Sequence, residues 1–234
     1  GSTMLCDLLA GTGVAGRPES YFRRESIPSY YREFGLQEKD APRINRAYLD
    51  AVIQEGTGDT GVFGLRIMWE TLGELSVVLH EIFPGLSSDA ARLEQAFGPI
   101  LFVHLTRADK IAQAISLIKA EQTGLWHRYS DGGERERTAP SRSAIYDRGL
   151  IAEKANALAA SDAGWRDWFA RQNIEPVRIA YENLGTDPKA ELAEILNGLG
   201  QDTKIADRAQ IISAKMADAE SADWAAKYLR EINS

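Results

Sequence analysis

The chain reads as an α/β protein whose parallel sheet is covered by helices. Segments with helical spacing alternate with short segments of strand character, the order that builds parallel sheets. Residues 99–105 contain a continuous apolar run (Ile100, Leu101, Phe102, Val103), as in a strand buried on both faces. The composition, 44% hydrophobic and 26% charged, is that of a globular protein with a substantial core.

The elements follow in order. Met4, Leu5, Leu8 and Leu9 recur at helical spacing over residues 3–10, and Gly11, Gly13 and Gly16 break that pattern. A helix is predicted over 43–54, with Ile44, Ala47, Tyr48, Ala51 and Val52 on one face. Phe63, Leu65, Ile67 and Trp69 alternate over 62–69, which predicts a strand. A helix over 71–82 and the apolar strand over 99–105 come next. Ile111, Ile115 and Ile118 mark a helix over 109–122. Residues 130–143 are polar and charged, with Gly132 and Gly133, and read as a mobile loop. A long helix covers 143–172, with Gly164 as its candidate break. Val177, Ile179 and Tyr181 mark a strand over 176–181, and the helix over 188–199 ends at Gly198 and Gly200. Trp224, Ala225, Tyr228 and Leu229 belong to a last helix over 221–232.

The 234 residues suit one domain, 1–234. The net charge of −7 disfavours nucleic acid as a partner but leaves room for a local basic pocket. Cys6 is the only cysteine, so no disulfide forms within the chain, which fits a reducing compartment. No apolar run approaches the roughly 20 residues that cross a bilayer. No basic segment of a signal peptide stands at the start, and the localisation expected is cytoplasmic. His80, His104 and His127 lack metal-ligand spacing and read as structural or surface residues, so no metal is expected.

In a parallel sheet, ligands bind beyond the carboxyl ends of the strands, and three stretches there carry candidate chemistry. Gly1, Ser2 and Thr3 lead directly into a helix. Small residues at a helix N-terminus let backbone N–H groups approach a phosphate, and the helix dipole favours the anion. Simple capping is the plain alternative. Arg107 follows a strand and Ser116 lies on the helix after it; together they suit a phosphate, whereas separately each suits an ordinary surface role. Glu19 stands in a Gly/Pro-flanked turn beside Tyr21 and Phe22, where a carboxylate can act as a general base or simply meet solvent.

Together these stretches resemble the bacterial trehalose 2-sulfotransferase family. Gly1-Ser2-Thr3-Met4-Leu5 matches the end of that family's phosphosulfate loop, and Thr12-Gly13-Val14-Ala15-Gly16-Arg17-Pro18-Glu19-Ser20-Tyr21-Phe22 matches its second block. His104-Leu105-Thr106-Arg107-Ala108-Asp109 through Ser116 resembles its 3′-phosphate segment. Gly64 to Trp69, Gln122 to Trp126, Gly164 to Phe169 and Ala217 to Trp224 extend the resemblance in order along the chain. Arg66 stands where the family often has Lys.

The resemblance implies a P-loop-like three-layer fold with a central parallel sheet flanked by helices. It also implies an Arg-Ser pair and a first strand ahead of Gly1, so the chain is expected to be N-terminally incomplete. The implied donor is 3′-phosphoadenosine-5′-phosphosulfate (PAPS), held by Gly1, Ser2 and Thr3 at one end and by Arg107 and Ser116 at the other. The implied acceptor is a carbohydrate hydroxyl, on trehalose, lipopolysaccharide or another glycoconjugate, with Glu19 as the base. A homodimer is implied as well. Tyr21, Phe22, Tyr30, Tyr31 and Trp126 either stack on the sugar or belong to the core. The competing readings are a P-loop nucleotide kinase, which needs a Lys before the Ser/Thr, and an inactive nucleotide-binding scaffold.

Overall fold

The computed structural model describes residues 1–37, 42–129, 131–210 and 218–233; the readings made for Ser130 and Ala217 fall outside them. Helix α1 is Ser2–Gly11, α2 Ile27–Glu33, α3 Arg46–Thr57, α4 Trp69–Ile82 and α5 Asp89–Phe97. Strand β1 (Val103–Thr106) leads into α6 (Lys110–Thr123), then β2 (Leu125–Arg128) and β3 (Glu134–Arg137). Helix α7 (Arg148–Gln172) leads to β4 (Val177–Ala180), α8 (Tyr181–Leu184) and α9 (Pro188–Gly198). A 3-10 turn at Thr203–Arg208 and α10 (Ala219–Ile232) complete the described chain.

The architecture is mixed α/β, with a small parallel sheet flanked by helices. Strand β1 pairs with β4 in parallel, from Val103 opposite Val177 to Thr106 opposite Ala180. The continuous apolar run before and through β1 has a packing explanation. Ile100 and Phe102 join a core built on α3, α4 and α7, while Leu101, Val103 and Leu105 join a second core with Leu5, Leu8, Ile179 and Leu192. Alternate side chains thus fill opposite faces. A third cluster joins Ile115 and Ile118 of α6 to Ile151 of α7 and to Trp224 and Tyr228 of α10.

Several sequence-based expectations are corrected. The strand expected over 62–69 contracts to one parallel bridge, Leu65 with Glu19, and Trp69 already belongs to α4. Pro18, next to Glu19, has no N–H to continue a ladder. The loop expected over 130–143 contains β3, which pairs antiparallel with β2. Its alternating charges find partners, Arg135 with Asp7 and Arg137 with Glu134. Helix α7 begins at Arg148, where the Asp147 side chain accepts the Leu150 N–H, and it passes Gly164 without a break. That glycine makes room for a neighbour, because a Cβ there would collide with the Trp69 ring. Helices α2 and α5 were not expected. Pro28 opens the first, and the Ser88 hydroxyl caps the second by accepting the Ala91 N–H.

His104 is the buried polar residue of β1, and neither ring nitrogen has a hydrogen-bond partner among the described residues. Burial is the main reason its pKa lies below the ordinary histidine value, and nearby Asp162 opposes the shift. The unfolded chain takes up this proton near pH 6.5 and the folded chain only at lower pH. Stability is therefore complete above about pH 6.5 and falls as the pH drops from there toward the folded value. The thermal midpoint should fall over that window, and less steeply in His104→Leu; an equal slope in both proteins contradicts this origin.

Candidate active site

The site lies at the carboxyl ends of β1 and β4, where α1 begins. Arg107 follows β1 directly, and Tyr181 follows β4 as the first residue of α8. The Arg107 guanidinium stacks on the Tyr181 ring at 4.4 Å from its centroid. Its Nε is buried and has no hydrogen-bond partner among the described residues. Gly1 packs against the same ring: a Cβ on it would lie 2.6 Å from Tyr181 Cδ2. One aromatic side chain thus joins the start of α1 to the arginine after β1.

Helix α1 has no acidic residue in its first turn and no side-chain cap. Its positive pole is not neutralised locally.

Arg66 braces the opposite side. Its backbone N–H donates to the Glu19 carbonyl at 3.0 Å, the hydrogen bond of the isolated bridge. Its Nε donates to Ser20 Oγ at 2.8 Å and its Nη1 to Thr3 Oγ1 at 2.9 Å. The Glu19 carboxylate lies 3.7 Å from Nη2 and is 52% exposed. That is a loose pair, and the carboxylate remains open to solvent or to a substrate. The turn that presents Glu19 is tightly held. Gly16 has φ 73, and a Cβ there would meet Gly64 N at 2.6 Å and Gly56 O at 2.7 Å. The N–H groups of Arg17 and Gly64 both donate to the Gly56 carbonyl, at 2.7 and 3.1 Å.

His127 of β2 completes this side. Its Nε2 is 3.0 Å from Thr3 Oγ1 and 3.4 Å from Glu136 Oε2 of β3. The β2–β3 hairpin is pinned to α1 by the pair between Arg135 and Asp7, one bond of which is 2.8 Å.

Of the residues singled out in the sequence, Gly1, Thr3, Glu19 and Arg107 gather around the start of α1. Ser2 occupies the first turn between Gly1 and Thr3. Ser116 lies farther along α6, in the wall of a cavity of about 280 Å³ that Lys119, Arg128, Arg137 and Ser143 also line. Tyr21, Phe22 and Tyr31 are 1%, 1% and 4% exposed and belong to the core, not to a sugar platform. Trp126 donates its indole N–H to Thr138 Oγ1 at 3.1 Å, and Tyr30 is partly buried.

Sequence reasoning did not single out Tyr181, and it read His127 as a structural or surface residue without its contact to Thr3. Tyr181 read as part of the strand over 176–181, but β4 ends at Ala180, and a residue just beyond a strand is a usable signal. His127 had none of its own: it reaches the site on a hairpin whose second strand read as a loop. No group of His, Cys, Asp and Glu suited to a metal ion occurs among the described residues, and none of their helices is long and apolar enough to cross a membrane.

Comparison with known proteins places the chain in a family. The model of the family described as Stf0 sulphotransferase matches residues 1–231. A trehalose 2-sulfotransferase of Mycobacterium tuberculosis is 30% identical over 261 aligned residues, covering 99% of this chain and 91% of the relative. A trehalose 2-sulfotransferase of Mycolicibacterium smegmatis is 31% identical over 258 residues, with the same coverage of 99% and 91%.

The forked guanidinium of Arg66 serves partners on two segments at once, and an ammonium does not reproduce that geometry. Arg66→Ala should cost about 2 kcal/mol of folding stability in urea titration, and Arg66→Lys about half as much. If both variants are as stable as the parent, Arg66 is not a brace.

Proposed function

The chain belongs to the Stf0 sulphotransferase family, and from that premise we propose that it transfers a sulfuryl group from PAPS to a hydroxyl of trehalose or a closely related sugar. It is an enzyme of the sulfotransferase class; the donor, the acceptor and the residue roles are our reading. One observation carries it. Two cations, Arg66 and Arg107, flank an uncapped helix start, and the Glu19 carboxylate stands at its edge.

The first turn of α1 binds the phosphosulfate end, with backbone N–H groups and the hydroxyls of Ser2 and Thr3 as donors. Arg107, stacked on Tyr181 and lacking a partner at Nε, binds the 3′-phosphate. Ser116, farther along α6 in the wall of the neighbouring cavity, is assigned to that phosphate by the family resemblance alone. Glu19 accepts the proton of the acceptor hydroxyl. The hydroxyl oxygen bonds to sulfur as the bond between sulfur and the 5′-phosphate oxygen breaks, and that bond's electron pair stays on the phosphate. The products are a sugar sulfate and adenosine 3′,5′-bisphosphate. Positioning and charge stabilisation supply most of the acceleration, as in phosphoryl transfer.

With labelled PAPS, the protein should form sulfated trehalose. Glu19→Gln should lower turnover by about 100-fold or more, the range of a lost general base, while binding adenosine 3′,5′-bisphosphate like the parent. Normal turnover by that variant removes Glu19 from the chemistry, and no transfer to trehalose or other sugars by the parent removes the reading itself. Arg107→Ala should weaken adenosine 3′,5′-bisphosphate about tenfold, as for a lost charge-assisted contact, and adenosine 5′-monophosphate far less. Equal losses for the two nucleotides, measured by calorimetry, would place the 3′-phosphate elsewhere.

A further inference from the structure

Thr3 Oγ1 accepts a hydrogen bond from Arg66 Nη1 at 2.9 Å and lies 3.0 Å from His127 Nε2. The same Nε2 is 3.4 Å from Glu136 Oε2. A carboxylate offers only lone pairs, so a bare Nε2 would set lone pair against lone pair. A hydrogen on Nε2 bonds to Thr3 Oγ1 and turns a positive edge toward the Glu136 carboxylate. The tautomer follows from this network: His127 carries its proton on Nε2 and donates to Thr3. Burial, more than any neighbouring charge, keeps the ring's pKa below the ordinary value, so the neutral form with that single N–H is sufficient.

A hydroxyl has two lone pairs and one hydrogen. With Arg66 and His127 both donating to it, the lone pairs of Thr3 are occupied and its hydrogen is free. We propose that His127 is a positioning residue that, together with Arg66, converts the Thr3 hydroxyl into a dedicated donor for the anionic end of the sulfuryl donor. The proposal rests on the reading that the start of α1 holds the phosphosulfate, and it adds the residue that sets the polarity of that contact. Were His127 to accept instead, the hydrogen of Thr3 would be spent inside the protein and its oxygen would turn a lone pair toward the anion.

The hairpin is the means of delivery. It carries His127 on β2 and Glu136 on β3, and Arg135 anchors it to Asp7 on α1. Glu136 is half exposed, so its part is to hold the ring's orientation and not to add a strong ion pair.

The test is a double-mutant cycle on Thr3→Val and His127→Ala in the full chain, with His127→Gln as a conservative replacement whose amide can donate near the Nε2 position. The primary readout is the dissociation constant of adenosine 3′,5′-bisphosphate; turnover with labelled PAPS is the second. Thr3→Val should weaken binding about tenfold, as for a hydrogen bond to a charged partner. His127→Ala should lose a large part of that factor alone and almost nothing more once Thr3 is Val. His127→Gln should recover most of the loss. A purely structural His127 predicts losses that multiply in the double variant and no recovery with Gln; that outcome, or full affinity in His127→Ala, overturns the proposal. The functional reading fails separately, when the parent binds the bisphosphate but transfers no sulfuryl group, and the cycle is still read from binding. No binding of the bisphosphate by the parent overturns both.

Discussion

The Arg66 side chain reaches the first turn of α1 through Thr3 and the turn after Pro18 through Ser20 and the Glu19 carboxylate, while its backbone N–H donates to the Glu19 carbonyl. Only a planar, multiply donating cation serves so many acceptors from one side chain. The consequence is geometric. The candidate base and the candidate phosphate loop belong to segments separated by a run of glycines, yet they share one rigid partner. The consequence is also electrostatic. The carboxylate nearest to Arg66 is half exposed and 3.7 Å away, so the positive charge is not consumed in a tight pair. A cation hydrogen-bonded to the neutral hydroxyls of Ser20 and Thr3 keeps most of its field for a ligand.

A protein of net charge −7 thus gathers two arginines at the candidate site. Its acids are engaged elsewhere: Asp7 with Arg135, Asp162 with Lys110, Glu134 with Arg137, and Asp218 and Glu220 with Lys119. Arg107 follows the same logic by another route. It is held by the face of Tyr181 instead of a carboxylate, and its buried Nε stays unsatisfied. A buried donor without a partner costs about 1–3 kcal/mol, and a bound anion removes that cost. The glycine at the start of α1 is part of the arrangement, since any side chain there would displace the tyrosine that supports the arginine.

Much of this was legible in the sequence, and the exceptions have physical reasons. The helices with periodic apolar faces, α1, α3, α4, α6, α7, α9 and α10, were found within a few residues of their ends. The run from Ile100 to Val103 announced a chain segment between two cores, although the strand itself begins only at Val103, later than the expected 99–105. The alternation at 62–69 misled, because neighbouring Pro18 cannot extend a ladder and Leu65 is left with a single bridge. The charges of Glu134 to Arg137 looked like a solvated loop because the anchor of Arg135, Asp7 on α1, is distant in sequence. The same error hid His127, whose place is set by hairpin register and not by local pattern. Glu19, Thr3 and Arg107 were legible through their order along the chain, although each taken alone suited a bland role. The hydrophobic surroundings of Tyr21, Phe22 and Tyr31 settle their place in the core, where composition left two choices.

The central claim is that one donor molecule spans the start of α1 and the arginine after β1. A crystal structure of the protein with adenosine 3′,5′-bisphosphate tests it directly. The 5′-phosphate is expected within hydrogen-bond distance of the backbone N–H groups that open α1 and of the Thr3 hydroxyl, with the 3′-phosphate against the Arg107 guanidinium. A nucleotide bound with neither phosphate at these groups, for instance wholly within the cavity lined by Lys119, Arg128 and Arg137, would contradict it.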